Sequence, residues 1–190
     1  VSAKDVILEV LRILGVKGGV GYILEYFGDG VKSLSVPQRA TITNMGTETG
    51  ATSSIFPSDN VTRSFLKAQQ REKDWVELKS SDEYRHRISI DLSSVVPLAA
   101  VPHSPGDIVP ISELKGRKVN QVCIGSCTNS SLHDMRTAAG IMKGKTISEG
   151  LHLTVNPGSR QVVKHLAEEG ALTALTDAGA RILENACGPC

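Results

Sequence analysis

The chain has 190 residues, 40% of them hydrophobic, which is enough for one large domain or two small ones around a sizeable core. Lysine and arginine total 21 against 20 aspartates and glutamates, a formal charge of +1, and no basic stripe or acidic tail marks nucleic acid or a charged surface as the main partner. A mean hydropathy of -0.07, with no apolar run of about twenty residues, argues against a helical membrane span.

Ser2 can cap a helix over residues 3–14, with Val6, Val10, Leu11 and Leu14 at helical spacing. The stretch VSAKDVILEVLRIL lacks an initiator methionine and a basic leader, so it reads as a working helix rather than a targeting signal. Glycines at 15, 18, 19 and 21 break the helix. Their spacing is not that of a phosphate loop, since no Gly-Lys-Ser/Thr closes it. Tyr22–Phe27 has the composition of a strand, followed by a turn at Gly28-Asp29-Gly30. Residues 33–52 run through small polar and glycine positions suited to tight packing beside a ligand. A polar helix is expected over about 60–72, a short strand at Trp75–Leu78 and an alternating strand at Arg87–Leu92.

Residues 93–110 hold four prolines and few charges, and 96–110 is the expected connection between a first α/β subdomain, 1–95, and a second, 111–190. Beyond it strand and helix alternate. Val119–Ile124 is an apolar strand, Asn129–Lys143 a helix, Leu151–Val155 a strand and Ser159–Glu169 a helix capped by Ser159. A helix over about 171–178 and a strand at Ala180–Leu183 follow. That order implies a parallel sheet with right-handed crossovers. The chain stops at Cys190, the last residue of CGPC, a pointed place to end and one that suggests a piece of a longer polypeptide.

The four cysteines are Cys123, Cys127, Cys187 and Cys190. Nothing looks secretory, so reduced thiols at a metal or redox site are favoured over disulfides. IGSCTNSS and ACGPC both fall where a parallel strand ends, the edge at which open α/β sheets bind ligands. Cys127 is expected beside a helix N-terminus that favours a thiolate. A lone C-x2-C also suits zinc or thiol-redox chemistry. Cys123 lies within the strand, about 13 Å from Cys127 if extended, and reads as a buried core cysteine. Three thiolates without a fourth suit a cluster with one open iron acting as a Lewis acid.

IGSCTNSS followed by ENACGPC resembles the aconitase family. So do GYILEYFGDGVKSLSVPQRATITNMGTETGATSSIFPSDN upstream and VNPGSRQVVKHLAEEGALTALTDAGARILENACGPC downstream, so the resemblance covers nearly the whole chain. It implies an α/β fold of the aconitase iron–sulfur type, with parallel or mixed sheets, helices on both faces and two α/β subdomains. It also implies a 4Fe–4S hydro-lyase in which Cys127, Cys187 and Cys190 each ligate one iron. NMGTE matches the family's NMGAE-like motif and makes Asn44 and Glu48 site residues, the glutamate within a network supporting acid–base groups. The implied partners are a small tricarboxylate and the remaining domains of the parent enzyme, with neither membrane nor nucleic acid. The implied compartment is the cytoplasm, or the mitochondrial matrix. CGPC resembles aconitase itself, which turns citrate to isocitrate through aconitate. VPHSPGDIVP resembles shorter prokaryotic members and keeps isopropylmalate or homoaconitate as the alternative.

Other residues have plainer readings. His86, His103, His133, His152 and His165 show no metal-ligand pairing and are expected at the surface. Arg39 and Arg160 are expected to be solvated, and Asn129 and Ser130 to lie in a helix's first turn. The family's upstream and C-terminal domains carry further acid–base and substrate-binding residues. The isolated 190-residue chain is therefore expected not to hydrate aconitate, which a spectrophotometric assay of the purified chain checks directly.

Overall fold

A computed structural model describes residues 2–188 and divides the chain into two compact units, 1–115 and 116–190. The stretch 96–110 pairs with itself and counts with the first unit.

In the first unit, α1 (Ala3–Leu14) starts at Ser2, whose Oγ accepts from the Asp5 N–H while the Asp5 carboxylate accepts from the Ser2 N–H. Its apolar stripe buries Val6, Ile7, Val10 and Leu11. α2 (Val36–Met45) packs against it through Ile42, which is fully buried. The sequence RATITNM has three β-branched residues in a row and reads poorly as a helix. Packing of Ile42 against α1 outweighs that propensity. β1 (Ile23–Glu25) runs parallel to β2 (Ser53–Ile55), and α3 (Asn60–Ala68) follows under an Asp59 cap. β3 (Leu98–Ala100) and β4 (Ile108–Pro110) form an antiparallel pair within the proline-rich stretch. The Leu98 N–H donates to Asp5 Oδ1 at 2.9 Å, which ties this pair to the start of α1.

The strand expected at Arg87–Leu92 has no ladder partner among the described residues. Its alternation survives as burial over the last residues: Ile90 and Leu92 pack on the α1–α2 core while Ser89 and Asp91 between them stay exposed. Without a neighbouring edge to supply hydrogen bonds, an alternating pattern yields an extended segment rather than a strand. Trp75–Leu78 likewise makes a single bridge, Leu78 to Ser58.

Arg39 is buried, not solvated. It is 4% exposed, and its guanidinium donates to the carbonyls of Val31, Leu34 and Pro57 and to both oxygens of Asp59, at 2.7–3.1 Å. Asp59 in turn accepts from the Val61 and Thr62 N–H groups at the head of α3. A planar fork that satisfies several carbonyls and a carboxylate at once suits burial in a way a sequence window does not show.

The second unit is a three-stranded parallel sheet in the order β5 (Gln121–Gly125), β6 (His152–Asn156), β7 (Ala180–Ile182). α4 (Leu132–Met142), α5 (Arg160–Glu168) and α6 (Ala171–Asp177) complete it. Met135, Ala139, Leu166 and Leu175 from these helices meet Leu153, Val155 and Ala180 of the sheet. The helices share one face, because right-handed crossovers between adjacent strands taken in sequence order put every connection on the same side. The chain is thus α/β throughout.

Hydrogen bonding from Arg39 holds the Asp59 carboxyl below its usual range, assisted by the backbone N–H groups of Thr62 and Val61. A depressed carboxylate stabilises the fold above its unfolded pKa and loses that contribution as pH falls. Arg39→Met is expected to cost about 3 kcal/mol at pH 7. Wild-type stability should decline below about pH 4, and Asp59→Asn should flatten that acid limb; urea melts across pH check both.

Candidate functional site

Three loops leave the carboxyl edge of the β5–β6–β7 sheet, and hydrogen bonds join them. Register places Gly125 opposite Asn156, and the Leu183 N–H bonds to the Val155 carbonyl. The Ser126 N–H donates to the Asn156 carbonyl at 3.3 Å, and the Gly158 N–H to the Ser130 carbonyl at 3.0 Å. Asn156 Nδ2 donates to the Glu184 carbonyl at 3.2 Å, and Asn185 Nδ2 to the Pro157 carbonyl at 2.6 Å. The middle loop, 156–159, thus fastens the loop carrying Cys127 on one side and the loop carrying Cys187 on the other.

Cys127 and Cys187 are both exposed at this edge. Cys127 Sγ lies 4.0 Å from Ser126 Oγ and 3.9 Å from Thr128 Oγ1. Cys190 lies outside the described residues. The backbone beside Cys127 is held in an unusual form: Gly125, Ser126 and Asn129 have φ of 99°, 92° and 53°. Positive φ at a serine is costly and persists where surrounding bonds enforce it.

The helix N-terminus expected beside Cys127 is not there. Ser131 caps α4 in a reciprocal pair with Asp134, so the helix opens at Leu132, five residues after the cysteine. The dipole's influence fades within about a turn, and the first N–H groups are spent on the cap. Asn129 and Ser130 therefore precede the helix instead of lying in its first turn. Cys123 is exposed rather than buried. It sits on the edge strand β5 with its side chain opposite to Val122 and Ile124, which face the helices.

In the first unit Asn44 and Glu48 lie on one bend. Asn44 is the penultimate residue of α2, and Glu48 belongs to the 3-10 turn Gly46–Thr49 that follows; both are exposed. The Asn44 carbonyl accepts from Thr47 Oγ1, and Thr49 Oγ1 donates to the Gly46 carbonyl. Gly46 lets this bend press on β2, since a Cβ there would stand 2.1 Å from Ser54 Oγ. Nearby Tyr26 stacks on Phe56, and burial pushes its phenol up to about 12, beyond use as an acid or base near neutrality. The five histidines and Arg160 are exposed as expected.

Sequence comparison bears on the whole chain. It matches the Aconitase family (aconitate hydratase) over residues 1–118 and 112–190. The chain belongs to the aconitase family. Among its curated relatives is a 3-isopropylmalate dehydratase large subunit 2 of Archaeoglobus fulgidus, 43% identical over the whole chain and covered to 46% of its own length. Another protein of the same name, from Rubrobacter xylanophilus, is 38% identical and covered to 45%. A methanogen homoaconitase large subunit of Methanocaldococcus jannaschii is 36% identical and covered to 48%. The aconitase-family chain thus spans about half the length of these relatives. No helix among the described residues is long and apolar enough to cross a membrane.

Sequence reasoning passed over Asn156, Asn185 and Ser126. The available signal was NPG at a strand end, since an asparagine there can bond across to neighbouring loops. Gly125 is the tightest point of the junction. A Cβ would stand 2.1 Å from the Asn156 carbonyl oxygen, on a backbone of φ 99°. Gly125→Ala is expected to destabilise the second unit by about 3 kcal/mol, read as a lowered melting temperature.

Proposed function

We propose that this chain is the cluster-bearing part of a large subunit of an iron–sulfur hydro-lyase acting on isopropylmalate or a close analogue. One observation supports it above the rest: Cys127 and Cys187 leave neighbouring ends of one parallel sheet on loops fastened to a common third loop. Cys127, Cys187 and Cys190 would hold a 4Fe–4S cluster. The residues fit that group, because the two described sulfur ligands are exposed at one edge and thiolate is the donor iron–sulfur clusters take. Zinc or dithiol use of Cys187 and Cys190 leaves the fastened Cys127 loop without a purpose.

When bound, the cluster supplies a Lewis-acidic iron to the substrate's hydroxyl and carboxylate. The protein's own residues do the rest. The stitched loops keep the cysteines from drifting apart, so little ordering remains when a ligand binds. Asn44 and Glu48 stand on a bend whose backbone carbonyls at Asn44 and Gly46 are bonded to Thr47 and Thr49, which holds the backbone that carries them. Glu48 is assigned to orient an acid–base partner, as a carboxylate commonly does for histidine.

The relatives' names move the substrate away from citrate, the expectation drawn from CGPC. Their names carry isopropylmalate twice and homoaconitase once among those given above. Each is called a large subunit, which supports a smaller partner subunit completing the enzyme.

The test uses the full-length protein with its partner subunit, loaded anaerobically with iron and sulfide. Formation of the unsaturated product is followed by ultraviolet absorbance on isopropylmalate, homocitrate and citrate. Isopropylmalate should turn over fastest, and Cys127→Ser should lower the rate on the order of 100-fold or more. Turnover of citrate alone would refute the substrate assignment, and zinc binding without iron would refute the cluster.

A further inference from the structure

Asn156 is the residue through which the three loops at the sheet edge meet, and one of its atoms is left over. The side chain is 1% exposed. Its backbone carbonyl accepts from Ser126, next to Cys127, and its Nδ2 donates to the carbonyl of Glu184, three residues before Cys187. The Glu184 carbonyl can only accept, so it fixes the amide with nitrogen toward it and oxygen away. That oxygen, Oδ1, is fully buried and has no hydrogen-bond partner among the described residues.

A buried amide oxygen without a donor is costly, and nearly all such atoms are satisfied in folded proteins. The amide is also pressed on the cysteine loop itself. A Cβ built on Gly188 would stand 2.6 Å from Nδ2, 2.9 Å from Cγ and 3.0 Å from Oδ1. The unused acceptor therefore lies beside Gly188, next in sequence to Cys187.

We propose that Asn156 is a positioning residue for the cluster: it holds the two cysteine-bearing loops at a fixed separation, and its Oδ1 takes a donor from the Cys187–Cys190 loop in the loaded enzyme. It acts through the loops and touches neither substrate nor iron. The inference rests on the iron–sulfur reading above and goes beyond it, because the three cysteines by themselves say nothing of what sets their spacing.

The experiment compares Asn156→Leu, of similar volume without polar atoms, and Asn156→Asp, which keeps an acceptor but turns an oxygen instead of the Nδ2 donor toward the Glu184 carbonyl, with Thr154→Val. Thr154 lies on the same face of β6 and also buries an unpartnered oxygen. In the full-length protein, cluster lifetime in air is followed by visible absorbance, the reduced cluster by electron paramagnetic resonance, and the cluster-free fold by thermal melting. Asn156→Leu should shorten the lifetime about tenfold and alter the resonance while melting like wild type. Asn156→Asp, which loses the bond to Glu184, should also shorten the lifetime, about fivefold, whereas Thr154→Val should stay within about twofold of wild type.

An Asn156→Leu lifetime equal to wild type, or an equal loss in Thr154→Val, overturns the proposal. If Asn156→Leu does not fold, Asn156→Asp decides: a lifetime shortened about fivefold with Thr154→Val unchanged supports the assignment, and a wild-type-like lifetime overturns it. Wild-type protein that takes up no cluster sinks the iron–sulfur reading together with this inference. A loaded wild type indifferent to Asn156 sinks this inference alone.

Discussion

The register of β6 between β5 and β7 is the constraint on which the second unit rests. With Gly125 level with Asn156 and Val155 level with Ile182, the three strands end together. Because side chains alternate, a slip of one residue on β6 would turn Leu153 and Val155 out of the helix-covered core and Asn156 into it. Burial of those two aliphatic residues therefore also fixes where the loop-joining asparagine sits. Core packing and site geometry share one cause, and neither can be changed without the other.

The first unit reaches rigidity by a different route. There a buried arginine gathers three carbonyls and a carboxylate, joining α2 to the head of α3. Replacing such a group with an apolar one would strand several acceptors, each costly to leave unmet. α2 is short and poor in helix formers, so this anchor at Arg39 and the packing of Ile42 give it most of its definition. The bend holding Asn44 and Glu48 hangs from the far end of that helix and inherits its position. A polar anchor in one unit and an apolar register in the other each fix where a loop leaves its element.

Much of this was legible in the sequence, and the failures share a physical origin. Helices with a clear stripe and a capping residue, as at Ser2 and Ser159, came through nearly to the residue, since the cap and the stripe are local signals. The parallel order of β5, β6 and β7 followed from alternation of strand and helix. Arg87–Leu92 misled because alternation reports burial on one side and says nothing of whether an edge is available. Arg39 misled because its acceptors come from residues 31, 34, 57 and 59, a set no local window unites. Cys123 misled because an edge strand with all its helices on one side leaves its other side open. The bonds by which Asn156 joins its neighbours were not legible in the same way. Its partners are 28 and 30 residues away in either direction.

Asp5 divides its carboxylate between the start of α1, where it completes the cap, and the Leu98 N–H, 93 residues later. During synthesis, at the usual pace of about 5–20 residues per second, the helix emerges roughly 5–20 s before that second partner exists. Through that interval Ile7 and Leu11 of the helix wait for α2 first and the β3–β4 pair last. The core of the first unit is thus left open to sticking, and in need of a chaperone's cover, until long after α1 has been made.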